Sequence, residues 1–161
     1  MYHDILLPTD GSALSRKAVE GGIALARRIG AQVHGLYVVP LLRPDALDSM
    51  LHLDPGLAHR QAELFDRLGD GYLEQISAAA RAAGVTCDCH KVRASAPQPV
   101  ILLEAARLGC DLIYMASHGW NGDQDRLLGS VTLRVLNTSP VPVLVHKSNV
   151  LITPPHGAPA R

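Results

Sequence analysis

The chain has 161 residues, enough to bury one core but short for two domains, and 47% of them are hydrophobic against 19% charged, a balance that excludes a disordered polymer. Its 15 basic and 15 acidic residues cancel and no Lys/Arg block stands out, so neither nucleic acid nor an anionic membrane surface is an expected partner. No apolar run approaches the roughly 20 residues of a membrane helix, and the opening MYHDILLPTD has neither a basic leader nor a small-residue cleavage site, so the expected location is the cytoplasm.

Asp4 to Pro8 is a short apolar run ending in turn chemistry, read as a buried first strand followed by the loop Thr9-Asp10-Gly11. From Ser12 the period changes. Leu14, Ala18, Gly22, Leu25 and Ile29 recur every three or four positions, which predicts a helix capped by Ser12 and stopped by Gly30. Ala31 to Val39 resumes a strand pattern that Pro40 ends. Leu41 to Gly56 has further prolines and no sustained period; a long loop is expected there, with a helical turn around Ala46 to Leu51, and such loops often act as lids.

Phe65, Leu68, Tyr72, Ile76, Ala79 and Ala83 define one stripe of a long helix that Gly84 terminates. Val85 to Arg93 reads as a third strand, polar enough for an edge. Pro97 to Leu108 is a predicted helix, with Pro97 and Pro99 tolerable in or before its first turn. Asp111 to Ala116 is almost wholly apolar, as a central parallel strand covered on both faces requires. Ser117 to Arg126 is a polar, glycine-containing loop, Leu127 to Asn137 a helix by pattern, and Val141 to His146 a last strand that Pro142 places at an edge. Ser148 to Arg161, with three prolines, is expected to extend away as a tail whose apolar start, Val150 to Ile152, could pack on a partner.

Strands alternating with helices predict one parallel sheet with helices on both faces. Any ligand then belongs beyond the carboxyl ends of the strands, where strand order reverses. The loops Pro8 to Ser12 and Ser117 to Arg126 meet that condition. The three cysteines, Cys87, Cys89 and Cys110, do not resemble a disulfide framework and suit a reducing compartment. A Cys-x-Cys metal site would need further ligands that are not spaced nearby, and the histidines form no pair at i and i+4 on a predicted helix, so no metal is assigned.

Neither a dinucleotide fingerprint nor a Walker A loop is present. Instead, Ala116-Ser117-His118-Gly119 is followed after nine residues by Gly129-Ser130, which opens a helix. Gly119 and Gly129 would let backbone amides approach an anion, and the helix start at Ser130 adds a dipole and a hydroxyl donor, an arrangement suited to a polyphosphate. Asp10 could accept hydrogen bonds from a ribose, Pro8 and Thr9 could meet a base edge, and Val38 and Met115 could complete an apolar slot for the base. Each element has a plainer reading beside it: Asp10-Gly11-Ser12 as a tight turn and helix cap, Gly129-Ser130 as a helix start, Gly119 and Gly122 as a turning loop.

The opening ILLPTDGS, the strand end LYVV, the run DLIYMASHG and the segment LLGSVTLRVLNTSPVPVLV, in that order, resemble the universal stress protein family over residues 1 to 147, leaving 148 to 161 as a Pro-rich C-terminal tail. The resemblance implies a doubly wound α/β domain of the adenine nucleotide alpha hydrolase-like kind, with a five-stranded parallel sheet of order 3-2-1-4-5, commonly a homodimer. It also implies two groups of members, those that bind ATP and those that do not. ATP-binding members carry G-x2-G-x9-G-[ST]; here Gly119, Gly129 and Ser130 match with the spacing intact, and Ala116 replaces the first glycine. By the same resemblance Asp10 faces the ribose and the adenine side, Pro8 and Thr9 are its neighbours, Ser117 and His118 lie inside the motif, and Val38, Met115, Val131 and Thr132 supply remaining contacts. A Gly-x-Pro usual in the family appears as Ser95-Ala96-Pro97, remote from the motif.

The implied function is a stress or signalling protein that binds ATP, with Mg or Mn held by its phosphates, and acts as a dimer. No catalytic residue is expected: Asp10 would be occupied by ribose, and His118 is a lone loop histidine expected at the solvent surface. Two other readings stand beside it. One is a dimeric interaction module whose motif is vestigial, with Ala116 marking the loss of nucleotide. The other is a slow ATPase or phosphate-transfer protein in which Ser130 or another loop hydroxyl receives phosphate.

Overall fold

The computed structural model describes residues 1–41, 54, 56–119 and 128–147. Five parallel strands, β1 (Asp4–Thr9), β2 (Gln32–Pro40), β3 (Cys87–Ala94), β4 (Leu112–Ala116) and β5 (Val143–His146), form one sheet in the order β3-β2-β1-β4-β5. Four helices connect them: α1 (Ala13–Ile29), α2 (Leu57–Ala83), α3 (Pro97–Arg107) and α4 (Ser130–Thr138). The expected long loop at 41–56, most of the loop at 117–126 and the tail from 148 lie outside the described residues apart from the positions given above.

The centre of the sheet follows from uninterrupted apolar runs. Ile5, Leu6 and Leu7 are fully buried, and all five residues of β4 are buried, because a central parallel strand is covered on both faces. Odd and even positions of these strands then feed two separate cores. Ile5, Leu7 and Tyr114 pack with Val19 and Ile23 of α1 and Leu73 and Ile76 of α2. Leu6, Ile113 and Met115 pack on the opposite face with Ile101 of α3 and Val135 of α4.

The expected helix signals operate as their chemistry dictates. Ser12 stands in extended conformation and its hydroxyl accepts the Ser15 N–H, while Gly30, at φ +74°, closes α1 in the left-handed conformation and donates to Ala26. Gly22 lets α1 approach the sheet: a β-carbon there would lie 2.4 Å from Leu7 Cδ2. Gly84 stops α2 in the same way at φ +70°. Both edge assignments hold, β3 pairing only with β2 and β5 only with β4 among the described residues. Pro142 falls just before β5, where it needs no N–H and its carbonyl still accepts from Ile113.

Two expectations need correction. The deepest side of α2 is formed by Gly69, Leu73, Ile76 and Ala80, whereas Leu68, assigned to the core stripe, is 38% exposed. The last helix begins at Ser130, three residues later than its apolar pattern suggests, because Gly129 takes the extended N-cap conformation (φ −67°, ψ 156°).

Candidate functional site

Two turns meet beyond the carboxyl edge of the sheet, where β1 and β4 send their following helices to opposite faces. The turn after β1 is closed by its own side chains. Thr9 Oγ1 accepts the Gly11 N–H at 3.1 Å, Asp10 Oδ1 accepts the Ser12 N–H at 3.0 Å, and Ser12 Oγ accepts the Ser15 N–H at 3.2 Å. Gly11 is at φ +80°, and a β-carbon on it would fall 2.1 Å from the Tyr72 ring, so both backbone and space require glycine. The capping reading of Asp10-Gly11-Ser12 is therefore correct, and it does not exhaust Asp10.

The other carboxylate oxygen of Asp10 reaches across to the second turn. A β-carbon on Gly119 would lie 2.2 Å from Asp10 Oδ2. Neither Gly119 nor Gly129 has a positive φ; they are glycines for room. A side chain on Gly129 would crowd the Ser117 carbonyl and His118 Cα at 3.3 Å. The turn is tied to the sheet by three hydrogen bonds: the Gly129 N–H to the Ser117 carbonyl at 2.7 Å, the Thr132 hydroxyl to the Ala116 carbonyl at 2.9 Å, and the Ser117 N–H to the His146 carbonyl at 2.9 Å. Ala116, where the motif's first glycine would stand, has no positive φ, and it belongs to the core under α1 and α2. Its methyl group therefore introduces no backbone strain.

The two helix starts differ. α1 is capped by Ser12, whereas the N-cap of α4 is Gly129, with no side-chain hydrogen bond to the first turn and no acidic residue in it. The amides and dipole of α4 face outward without a charge or hydroxyl from their own cap.

Between the turns lies a cavity of about 780 Å³, within the roughly 300–1,000 Å³ of small-molecule sites. Pro8, Thr9 and Asp10 form one wall, Val38 and Met115 an apolar side, Ala116, His118 and Gly119 a second wall, and Gly129, Ser130, Val131 and Thr132 the end beneath α4. Ser117 does not line it; its backbone holds the second turn together and its hydroxyl lies 3.1 Å from His118 Nδ1. His118 is half-buried in the cavity wall rather than exposed on a loop, and its Nε2 is buried with no hydrogen-bond partner among the described residues. Thr132 is buried and its hydroxyl is committed to Ala116, which leaves Ser130, exposed at the first helical position, as the α4 hydroxyl open to a ligand.

The cavity also has a side that sequence reasoning missed. Tyr37, Phe65, Leu68 and Tyr72 form an aromatic and aliphatic wall, with the Tyr37 and Tyr72 rings edge-on at 5.5 Å. Burial, reinforced by Tyr72 and Asp10, pushes the Tyr37 phenol above its ordinary pKa, so it remains a neutral hydroxyl at physiological pH. Ser95 and Pro97 also line this cavity, so the Ser95-Ala96-Pro97 segment, remote from the glycine motif in sequence, borders the same space. Among the described residues no group of three or more His, Cys, Asp or Glu is arranged to hold a metal, and no helix is long and apolar enough to cross a membrane.

Comparison with known proteins extends this picture. Universal stress protein MJ0531 of Methanocaldococcus jannaschii is 31% identical over 147 residues, covering 91% of this chain and 83% of its own. The solved structure of hypothetical protein MJ0577 superposes with a TM-score of 0.74 at 29% identity, covering 92% of this chain and 98% of that one. A universal stress protein crystallised in complex with cAMP gives a TM-score of 0.65 at 26% identity over 91% and 99% of the two chains. The sheet order and its two helical layers are those of the adenine nucleotide alpha hydrolase-like fold. With the family's sequence model matching residues 1–147, the chain belongs to the universal stress protein family.

Proposed function

We propose that the protein binds an adenine nucleotide, ATP in the first instance, across the turns that follow β1 and β4, and that occupancy of this site rather than hydrolysis is its activity. One observation carries the reading: a single cavity joins an apolar slot at Val38 and Met115 to the uncapped start of α4 beside Gly119. Base and ribose fit the first end, where Asp10 stands; phosphates fit the second, against the α4 amides and Ser130. The neighbour in complex with cAMP supports an adenine ligand. A divalent cation, Mg or Mn, enters on the phosphates. The unstrained backbone at Ala116 weighs against a vestigial motif. Hydrolysis is disfavoured because Asp10 is committed to its turn and to the ribose.

In the same reading residues 1–147 act as the nucleotide-binding unit, with 148–161 outside it, and the protein works in the cytoplasm, where its free cysteines stay reduced. It acts as a homodimer. The edge of β5, unpaired among the described residues, with Leu144 exposed and Leu133 and Leu136 of α4 also exposed, supports self-association.

The test is to denature freshly purified protein that has never been given nucleotide and to identify released small molecules by chromatography and mass spectrometry. Near-stoichiometric ATP or ADP is expected. An empty protein that also fails to bind added ATP with Mg would overturn the reading, and accumulation of ADP or phosphoprotein over hours would move it to the enzymatic alternative.

A further inference from the structure

Outside the cavity, the face of β3 turned toward α2 carries a pair of thiols. Cys87 and Cys89 lie two residues apart and so share that face, with their sulfurs 3.8 Å apart. The Cys89 sulfur occupies a built niche. It lies 3.3 Å from Ser77 Oγ and 3.5 Å from the Leu73 carbonyl, and it sits over Gly35, where a β-carbon would come within 3.0 Å of it. Both residues are half-buried on an edge strand, so a small reagent can reach them, while Cys110 is buried in the opposite core.

The two thiols are chemically unequal. The hydrogen bond from Cys87, helped by Ser77 and the Gly35 amide and opposed by burial, lowers the pKa of Cys89, while the same shared proton and burial raise that of Cys87. Burial holds Cys110 up at about 12. A thiol that gives up its proton more readily beside one that holds it is the composition of an attacking and resolving pair.

We propose that Cys87 and Cys89 form a reversible dithiol site that is oxidised by hydroperoxides to an intrastrand disulfide. The Cys89 thiolate attacks one oxygen of hydrogen peroxide, the O–O bond breaks, and the hydroxide released takes up a proton to leave as water, giving a sulfenic acid. The Cys87 sulfur then attacks the Cys89 sulfur and loses its proton to the departing hydroxide, which leaves as a second water. Two thiols and one peroxide become one disulfide and two waters. Cysteines two apart on an extended strand are poorly placed for relaxed disulfide geometry, so the bond is strained and readily reduced by cellular thiols. Closure also draws the Cys89 sulfur away from Ser77 and Leu73, so α2 registers the change.

The test treats reduced full-length protein at pH 7 with equimolar hydrogen peroxide, alkylates it, and maps it by mass spectrometry without reduction. The expected product has lost two hydrogens, carries a Cys87–Cys89 link, keeps Cys110 alkylatable, and returns to three thiols with dithiothreitol. Cys87→Ser should leave a sulfenic acid at Cys89 that dimedone traps. Cys89→Ser should slow peroxide consumption by about tenfold or more. Ser77→Ala, which keeps both cysteines, should slow it severalfold with an unchanged circular dichroism spectrum. Free Cys87 and Cys89 after peroxide, a link between two chains, or Cys89 passing to sulfinic acid beside an unreacted Cys87 would each overturn the proposal.

Discussion

The starts of α1 and α4 face the same cavity with opposite chemistry. α1 opens on a turn in which Thr9, Asp10, Ser12 and Ser15 satisfy one another and the backbone. α4 opens on a glycine that caps nothing with a side chain. Two helix starts of the same fold thus differ, one spending its polar side chains on its own turn and the other, in the proposed binding mode, leaving its amides to an external anion.

The strongest way to break this division is Gly119→Val, whose β-carbon would fall on the Asp10 carboxylate and disconnect the two turns. Nucleotide binding measured by calorimetry should be lost, while the fold persists because Gly119 is exposed. Unchanged affinity would remove Gly119 from the site. Asp10→Ala should weaken binding by about 1.5–3 kcal/mol through the lost ribose contacts, and it should also lower the melting temperature because the Ser12 N–H loses its acceptor.

Ser130→Asp separates stability from binding most cleanly. A carboxylate at the exposed first position of α4 should stabilise the helix by about 0.3–1 kcal/mol, yet repel phosphates and lower ATP affinity by about 1–2 kcal/mol. A fall in both quantities would mean that Ser130 has a structural role instead. Ser12→Ala provides the mirror experiment, with thermal stability reduced by about 1 kcal/mol and affinity nearly unchanged. The smallest effect is expected for Ala116→Gly. With no positive φ to relieve, restoring the motif glycine should change affinity by less than about 0.5 kcal/mol, against a stability loss of about 0.5–1 kcal/mol.

The comparison also explains what could be read in advance. Ser12 and Gly30 announce α1 because capping is local chemistry, decided within a few residues. The buried runs of β1 and β4 are visible for the same reason that they are central, since both faces must be apolar. Sheet order required the family resemblance, because no local pattern says which strands pair. Leu68 was misplaced because periodicity finds an apolar stripe without distinguishing a core from a cavity wall. The pairing of Tyr37 with Tyr72, and the lining of one cavity by both Ser95 and Gly129, arise only when separate crossovers bring their ends together. The occupant of the space over Gly119 is likewise invisible in sequence: the position is glycine because of Asp10, more than a hundred residues earlier.

The hydrogen bonds that seat the second turn have a consequence beyond the cavity. Gly129 and Thr132 hang α4 from the Ser117 carbonyl just past β4 and the Ala116 carbonyl at its end, and the Ser117 N–H in turn donates to His146 at the end of β5. In the proposed binding mode, phosphates held by α4 would act on the same short linkage that joins the ends of β4 and β5. If that strand is where a second copy docks, linkage makes the coupling reciprocal: whatever factor the nucleotide contributes to association, association must return to nucleotide affinity. ATP titrations at dilute and concentrated protein should then give different dissociation constants, and the ratio would measure how far the two events act as one.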